Sequence, residues 1–174
     1  MARKIGGNGM KTIIFMVGLP RSGKTTLAKD LAARRGVPIV CPDAVRLALT
    51  GQEYRKESEK MVWGVVYTMI DALFLTGHST IIFDACNMTE HGRRALRQLC
   101  DMSIYVVLKT SKEVCLKRTE DPGLAATIER MASYDDPVHS GEGYVFHRDN
   151  FTPHKLAMEI KKAISIESQS QISN

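Results

Sequence analysis

The stretch Phe15–Leu31, "FMVGLPRSGKTTLAKDL", decides how this chain is read. An apolar run leads into glycines around a Lys-Thr pair, and a helix-like pattern follows. Gly18-Leu19-Pro20-Arg21-Ser22-Gly23-Lys24-Thr25 fits G-x-x-x-x-G-K-[ST]. In such a loop the glycines let backbone N–H groups curl around phosphates, at the positive end of the following helix. Lys24 is expected to reach the β- and γ-phosphates of a nucleotide, and the Thr25 hydroxyl to ligate Mg²⁺. Gly18, Pro20, Ser22, Gly23, Lys24, Thr25 and Thr26 are therefore the candidate nucleotide contacts. A glycine-rich turn that matches by accident is the bland alternative. The strand-like run before and the helical pattern after supply the context the motif requires.

Working outward, "TIIFMV" (Thr12 to Val17) reads as a fully buried parallel strand, because β-branched residues run without polar alternation. A helix follows from about Lys24 to Arg34. "VPIV" (Val37 to Val40) is a second strand, closed by Pro42, with Asp43 a plausible helix N-cap. From Glu53 to about Leu75, Val62, Val65, Val66, Met69, Ile70 and Leu73 recur at helical spacing. Thr80 to Asp84 is a third strand, Thr89 to Leu99 a helix, and Ser103 to Lys109 a fourth strand. Thr110 with Glu113 predicts a capping box. "EGYVFH" (Glu142 to His147) offers a fifth strand, and Thr152-Pro153 opens a last helix. Strands alternating with helices mean an α/β fold, a mainly parallel sheet flanked by helices, and the phosphate-loop motif points to the P-loop NTPase/kinase class. The expected divisions are a flexible arm over residues 1–10, one P-loop kinase domain over 11–165, and a polar tail over 166–174.

Composition excludes rather than assigns. The 174 residues are 44% hydrophobic and 25% charged, ordinary for a globular chain. With 24 Lys and Arg against 19 Asp and Glu, the formal charge is +5, a mild preference for anionic partners. Cys41, Cys86, Cys100 and Cys115 show no C-x-x-C spacing, so reduced thiols and a cytoplasmic setting are expected. The N-terminal residues resemble neither a signal peptide nor a membrane span.

Two further positions bear on chemistry. Asp84 ends the third strand, where a parallel sheet presents its ligand edge. Its carboxylate can hold Mg²⁺ through water or orient acceptor-side groups, a helix cap or a satisfied strand-end polar residue being the bland alternative. Asp43 and Arg46 stand three apart at a helix start and so face one side. A carboxylate near the γ-phosphate takes a proton from an attacking hydroxyl, and an arginine forks onto a phosphate. Trp63 and Tyr67, four apart, suit packing better than base stacking. His139 and His147 read as surface residues.

The order "GLPRSGKTT", "PDAVR", "IIFDACNMTEHGRR" and "VVLKTSKEVCLKR" resembles the polynucleotide 5′-kinase-like P-loop kinases, including the phage end-healing kinases, over roughly Lys11 to His147. The resemblance implies that Asp43 is the general base for a 5′-hydroxyl, that Arg46 contacts an acceptor-side phosphate, and that Asp84 is the family's strand-end aspartate. Asn87 and Arg93 fall in the family's D-x-x-N…R stretch. The family's lid carries two arginines four apart. Arg118 matches the first, but Pro122 stands at the second place, leaving Arg130 or Arg21 to supply the charge or a lid that acts differently. The expected activity is ATP- and Mg²⁺-dependent transfer of a phosphoryl group to a hydroxyl. Lys24, Asp43, Arg46 and Arg118 are its catalytic candidates, and a nucleic acid 5′ end or a small phosphate-accepting molecule is the partner. A kinase for a small acceptor, such as a nucleoside monophosphate or a sugar, and a non-catalytic nucleotide-binding module are the alternatives. No membrane partner is expected, and the oligomeric state is open.

Overall fold

The protein is described by a computed structural model covering residues 9–51, 54–134 and 136–172. Five parallel strands form one sheet: β1 (Thr12–Val17), β2 (Ile39–Val40), β3 (Thr80–Phe83), β4 (Met102–Val107) and β5 (Tyr144–His147), in the order β2-β3-β1-β4-β5. All of β1 is buried, and it pairs with β3 on one side and β4 on the other. That explains its unbroken apolar sequence, since helices cover both faces of such a sheet.

The helices are α1 (Lys24–Arg35), α2 (Pro42–Thr50), α3 (Glu59–Leu75), α4 (Glu90–Arg97), α5 (Lys112–Leu116), α6 (Pro122–Ala132) and α7 (Pro153–Ile172). Alternate β1 residues serve opposite faces, as the two-residue period of a strand demands. Ile14 and Met16 pack with Leu27 and Leu31 of α1 and Leu156 and Ile160 of α7. Ile13, Phe15 and Val17 pack with Val62, Val66 and Ile70 of α3 and Leu96 of α4. A smaller core joins Leu19 of the phosphate loop to Cys115 of α5 and Ile128 of α6.

Several boundaries differ from the sequence reading. β2 starts at Ile39 because the Val37 N–H donates to Ala32 O of the preceding helix at 3.3 Å and Pro38 has no N–H. The α3 helix begins at Glu59 after a 3-10 turn over Lys56–Ser58, and Glu53 lies outside the described residues. Of its apolar positions, Met69 stays exposed. Ser111, not Thr110, caps α5, accepting from the Val114 N–H. Glu142 belongs to a 3-10 turn, so β5 begins at Tyr144. α7 continues through Ile172, into the polar segment read from composition as a tail. Residues 1–8 of the N-terminal arm lie outside the described residues. No helix among the described residues is long and apolar enough to cross a membrane.

Candidate active site

The three expected ligand-facing segments converge at the carboxyl edge of the sheet. The phosphate loop follows β1, Pro42-Asp43 follows β2, and Asp84 follows β3. Ligands of open parallel sheets sit at this edge.

The loop is built for a bound anion. Gly18 has φ +148°, and a Cβ there would lie 2.8 Å from Leu108 O and 3.1 Å from Ser22 Oγ. Gly23, the N-cap of α1, has φ +98°, no side chain caps the helix, and its first turn carries no acidic residue. The first-turn N–H groups of α1 thus have no capping side chain. The Ser22 hydroxyl is buried without a hydrogen-bond partner in this cradle. Such an orphan is costly unless an anion completes it. Lys24 is buried and donates from Nζ to Leu19 O at 2.6 Å. An ammonium has three N–H donors, so others are available to phosphate.

The loop is held from behind. The Gly18 N–H donates to Cys86 O at 3.0 Å, and the Asn87 amide donates to Met16 O at 2.7 Å. Thr110, misread as a cap, donates its hydroxyl to Ser22 O at 3.0 Å. Arg118 donates from Nη1 to Arg21 O at 3.0 Å. Arg21 itself has φ +63°, a left-handed backbone that costs a non-glycine residue about 1–3 kcal/mol.

Asp84 is buried. Burial pushes its carboxyl above the usual range, opposed by a hydrogen bond from the Thr25 hydroxyl and by the Lys24 charge. Thr25 and Asp84 therefore meet. Two hard oxygen donors fit Mg²⁺, which keeps several waters and takes the rest of its shell from substrate phosphates. No cluster of three or more His, Cys, Asp or Glu able to hold a metal occurs among the described residues. Cys86 lies beside Lys24, and burial pushes its thiol up, so it stays neutral.

On the acceptor side, Asp43 is 72% exposed at its side chain, and its charge is felt at both Asp84 and Cys86. Arg46 donates from Nη1 to Asp43 Oδ1 at 2.6 Å. It also forks onto Glu59 through Nε and Nη2 at 2.7 and 2.8 Å. The fork holds the Glu59 carboxyl below its ordinary range against partial burial. Trp63 Nε1 donates to the same carboxylate at 3.3 Å, while its ring packs on Tyr67 and Phe83. The pair is packing, as expected, with one polar tie to the site. Glu59 was invisible to spacing arguments because it lies thirteen residues from Arg46, on another helix.

Arg93 proves to be a structural clamp. Fully buried, it donates to Glu142 at 2.8 and 2.9 Å and to the carbonyls of Asn87, Asp136 and Pro137. Through Asn87 it steadies the end of β1. In the lid, Pro122 opens α6 behind the Asp121 cap, whose Oδ1 accepts from the Gly123 N–H at 2.8 Å. His139 and Glu142 form a capping box on the 3-10 turn, and His147 ends β5 with a buried, unpartnered Nδ1. A cleft of about 600 Å³ lined by Arg97, Ser103, Glu142 and Gly143 opens where β4 and β5 begin, at the sheet edge away from the phosphate loop.

With this geometry in hand, comparison with known proteins places the chain. The model of the AAA_33 family, an AAA domain, matches residues 13–128. The chain belongs to this family. Its fold is of the P-loop kinase type, for which ATP and usually Mg²⁺ are the ligands. A search of curated proteins finds no match. Among solved structures, a sugar kinase from Janibacter sp. HTCC2649 superposes with a TM-score of 0.62 at 20% identity, covering 90% of this chain and 95% of that one. Shikimate kinase from Acinetobacter baumannii, in complex with shikimate, gives 0.58 at 20% identity, covering 92% and 96%. A chain of the Pnkp1/Rnl/Hen1 RNA repair complex gives 0.63 at 20% identity, covering 76% of this chain but 46% of that chain. At these identities the likeness is one of fold.

Proposed function

We propose that the protein transfers the γ-phosphoryl group of ATP to the 5′-hydroxyl of a polynucleotide. The observation that carries this reading is the exposed Asp43 carboxylate, aligned by Arg46 at the sheet edge that also holds Lys24 and Asp84. A monophosphate acceptor needs no base, so a solvent-facing carboxylate at this place favours a hydroxyl.

In this reading the acceptor oxygen attacks the γ-phosphorus and its proton passes to Asp43. The bond from that phosphorus to the bridging oxygen breaks, and ADP leaves with its electron pair. Lys24 and the first-turn N–H groups of α1 hold the phosphates as charge moves. Thr25 and Asp84 would hold Mg²⁺, which neutralises developing phosphate charge. Arg46 uses three of its five N–H donors on Glu59 and Asp43, leaving two for an acceptor phosphate.

A second reading is a kinase for a small hydroxyl acceptor. It draws on the sugar and shikimate kinases, which align along nearly the whole chain, whereas the repair-complex chain is about twice as long as the matched part. The deciding experiment offers γ-labelled ATP with a 5′-hydroxyl oligonucleotide, a 5′-phosphate oligonucleotide, sugars, nucleosides and nucleoside monophosphates. Label on the 5′-hydroxyl oligonucleotide alone is expected, with Asp43→Asn lowering the rate about 10²–10⁴-fold. Label on a sugar or on a monophosphate would replace this reading.

A further inference from the structure

We propose that Arg21 is a catalytic residue that places its guanidinium on the γ-phosphate, supplying the charge that Pro122 in the lid cannot. The proposal rests on ATP being the phosphoryl donor, but not on which acceptor receives the group.

Arg21 and Asn87 are the two non-glycine residues with positive φ among the described residues. Asn87 is of a type that tolerates the left-handed region, and its amide is used on Met16 O and Ala85 O. Arginine is not such a type. Glycine would fill the Arg21 position without strain, so the loop carries a strained residue whose side chain must justify it. Strain of this kind concentrates where a side chain serves a ligand.

The surroundings say which ligand. Arg21 is exposed, one residue from the buried, unpartnered Ser22 hydroxyl and two from the uncapped start of α1. Its carbonyl holds the Arg118 guanidinium, so two arginines share one lip of the phosphate cradle. No carboxylate among the described residues forms an ion pair with either of them. Neither guanidinium is neutralised by a carboxylate, so both charges are open to a polyanion at the loop.

The lid cannot supply the charge from Pro122. That residue is the first of α6, without a donor on side chain or backbone. Arg130 stands eight residues, about 12 Å, beyond Pro122 on the same helix, and Arg130→Ala serves as the comparison in the test below. The lid is also docked on the loop: Leu19 is buried against Cys115 and Ile128, and Lys112 bridges α5 to α6 through Glu129 at 3.0 Å. Arg21 therefore stays at the lip while the lid holds Arg118 beside it. As the acceptor oxygen bonds to the γ-phosphorus and the bond to the bridging oxygen breaks, charge on the transferred group meets both guanidiniums.

The test measures ATP and ADP affinity by calorimetry for the natural chain, Arg21→Ala, Arg21→Lys, Arg21→Gly and Arg130→Ala, with single-turnover transfer in parallel. Arg21→Ala is expected to weaken ATP about tenfold while leaving ADP within about twofold, and to slow transfer about 10²–10³-fold. Arg21→Lys recovers part of the ATP preference. Arg21→Gly relieves the backbone, raises the melting temperature, and loses the rate as the alanine variant does. Equal weakening of ATP and ADP would overturn the proposal by making Arg21 a shaper of the loop. So would an unchanged ATP-to-ADP ratio, or loss of that ratio in Arg130→Ala instead. Failure to bind ATP in the natural chain would overturn the donor reading itself. Label on an unexpected acceptor would change only the acceptor.

Discussion

Replacing Arg93 by Met tests whether the most deeply buried cation among the described residues is a clamp or a member of the site. Arg93 is 0% exposed at its side chain and Glu142 7%, and the two share two hydrogen bonds of 2.8 and 2.9 Å. Removing one partner of a buried pair costs about 3–5 kcal/mol, because the other charge is stranded. Here Arg97 still reaches Glu142, which favours the lower end, about 3 kcal/mol. At about 2–4 °C per kcal/mol for a chain of this size, the melting temperature should fall by about 6–12 °C. The pH dependence gives a second readout. Burial acts to raise the Glu142 carboxyl, but Arg93, the His139 N–H and Arg97 outweigh it and hold the group below its ordinary value. A carboxyl lowered on folding stabilises the protein above its unfolded value, near pH 4.3, and that contribution is lost as pH falls through the folded value. Thermal melts from pH 3 to 8 should therefore show an acid-side loss in the natural chain that is flattened in Arg93→Met. Nucleotide affinity, measured below the melting range, should move less than threefold. A variant that melts within about 2 °C of the natural chain yet loses nucleotide binding would refute the clamp.

Other expectations follow from the same geometry. Asp84 is a carboxyl raised on folding, so its ionised form destabilises the fold as pH rises from the ordinary carboxylate range through the raised value. Asp84→Asn should therefore raise the melting temperature at pH 7.5 while abolishing Mg²⁺-stimulated transfer, as calorimetry and a metal titration would report. Loss of stability instead would show that the carboxylate is needed by the fold. Glu59→Ala frees Arg46 from its fork and lets Asp43 drift, so transfer should fall about 10²-fold with ATP affinity unchanged within twofold. A matching loss of ATP affinity would place Glu59 in the nucleotide site rather than behind the acceptor side.

What the amino-acid sequence determined by itself was what depends on neighbours along the chain. The phosphate loop is legible because eight consecutive residues must supply the turn, the backbone donors, the lysine and the hydroxyl together. β1, β3 and β4 are legible because strands covered on both faces leave no polar period to confuse the pattern. Asp43 and Arg46 are a local pair, and their 2.6 Å contact is the i,i+3 neighbour relation of a helix.

Tertiary structure decided everything that depends on meeting across the fold. Glu59 becomes the holder of Arg46 only because α3 packs beside α2. Thr110 looks like a cap in sequence, yet its hydroxyl reaches a carbonyl of the phosphate loop eighty-eight residues away. Arg93 reads as part of a site motif, but burial with Glu142 turns it into a brace, since a guanidinium withdrawn from water must spend its donors on whatever partners surround it. For the missing lid charge the sequence left Arg21 and Arg130 open. The letter of Arg21 fits the loop's variable position, while its left-handed backbone and the lid arginine resting on its carbonyl belong to the folded structure alone.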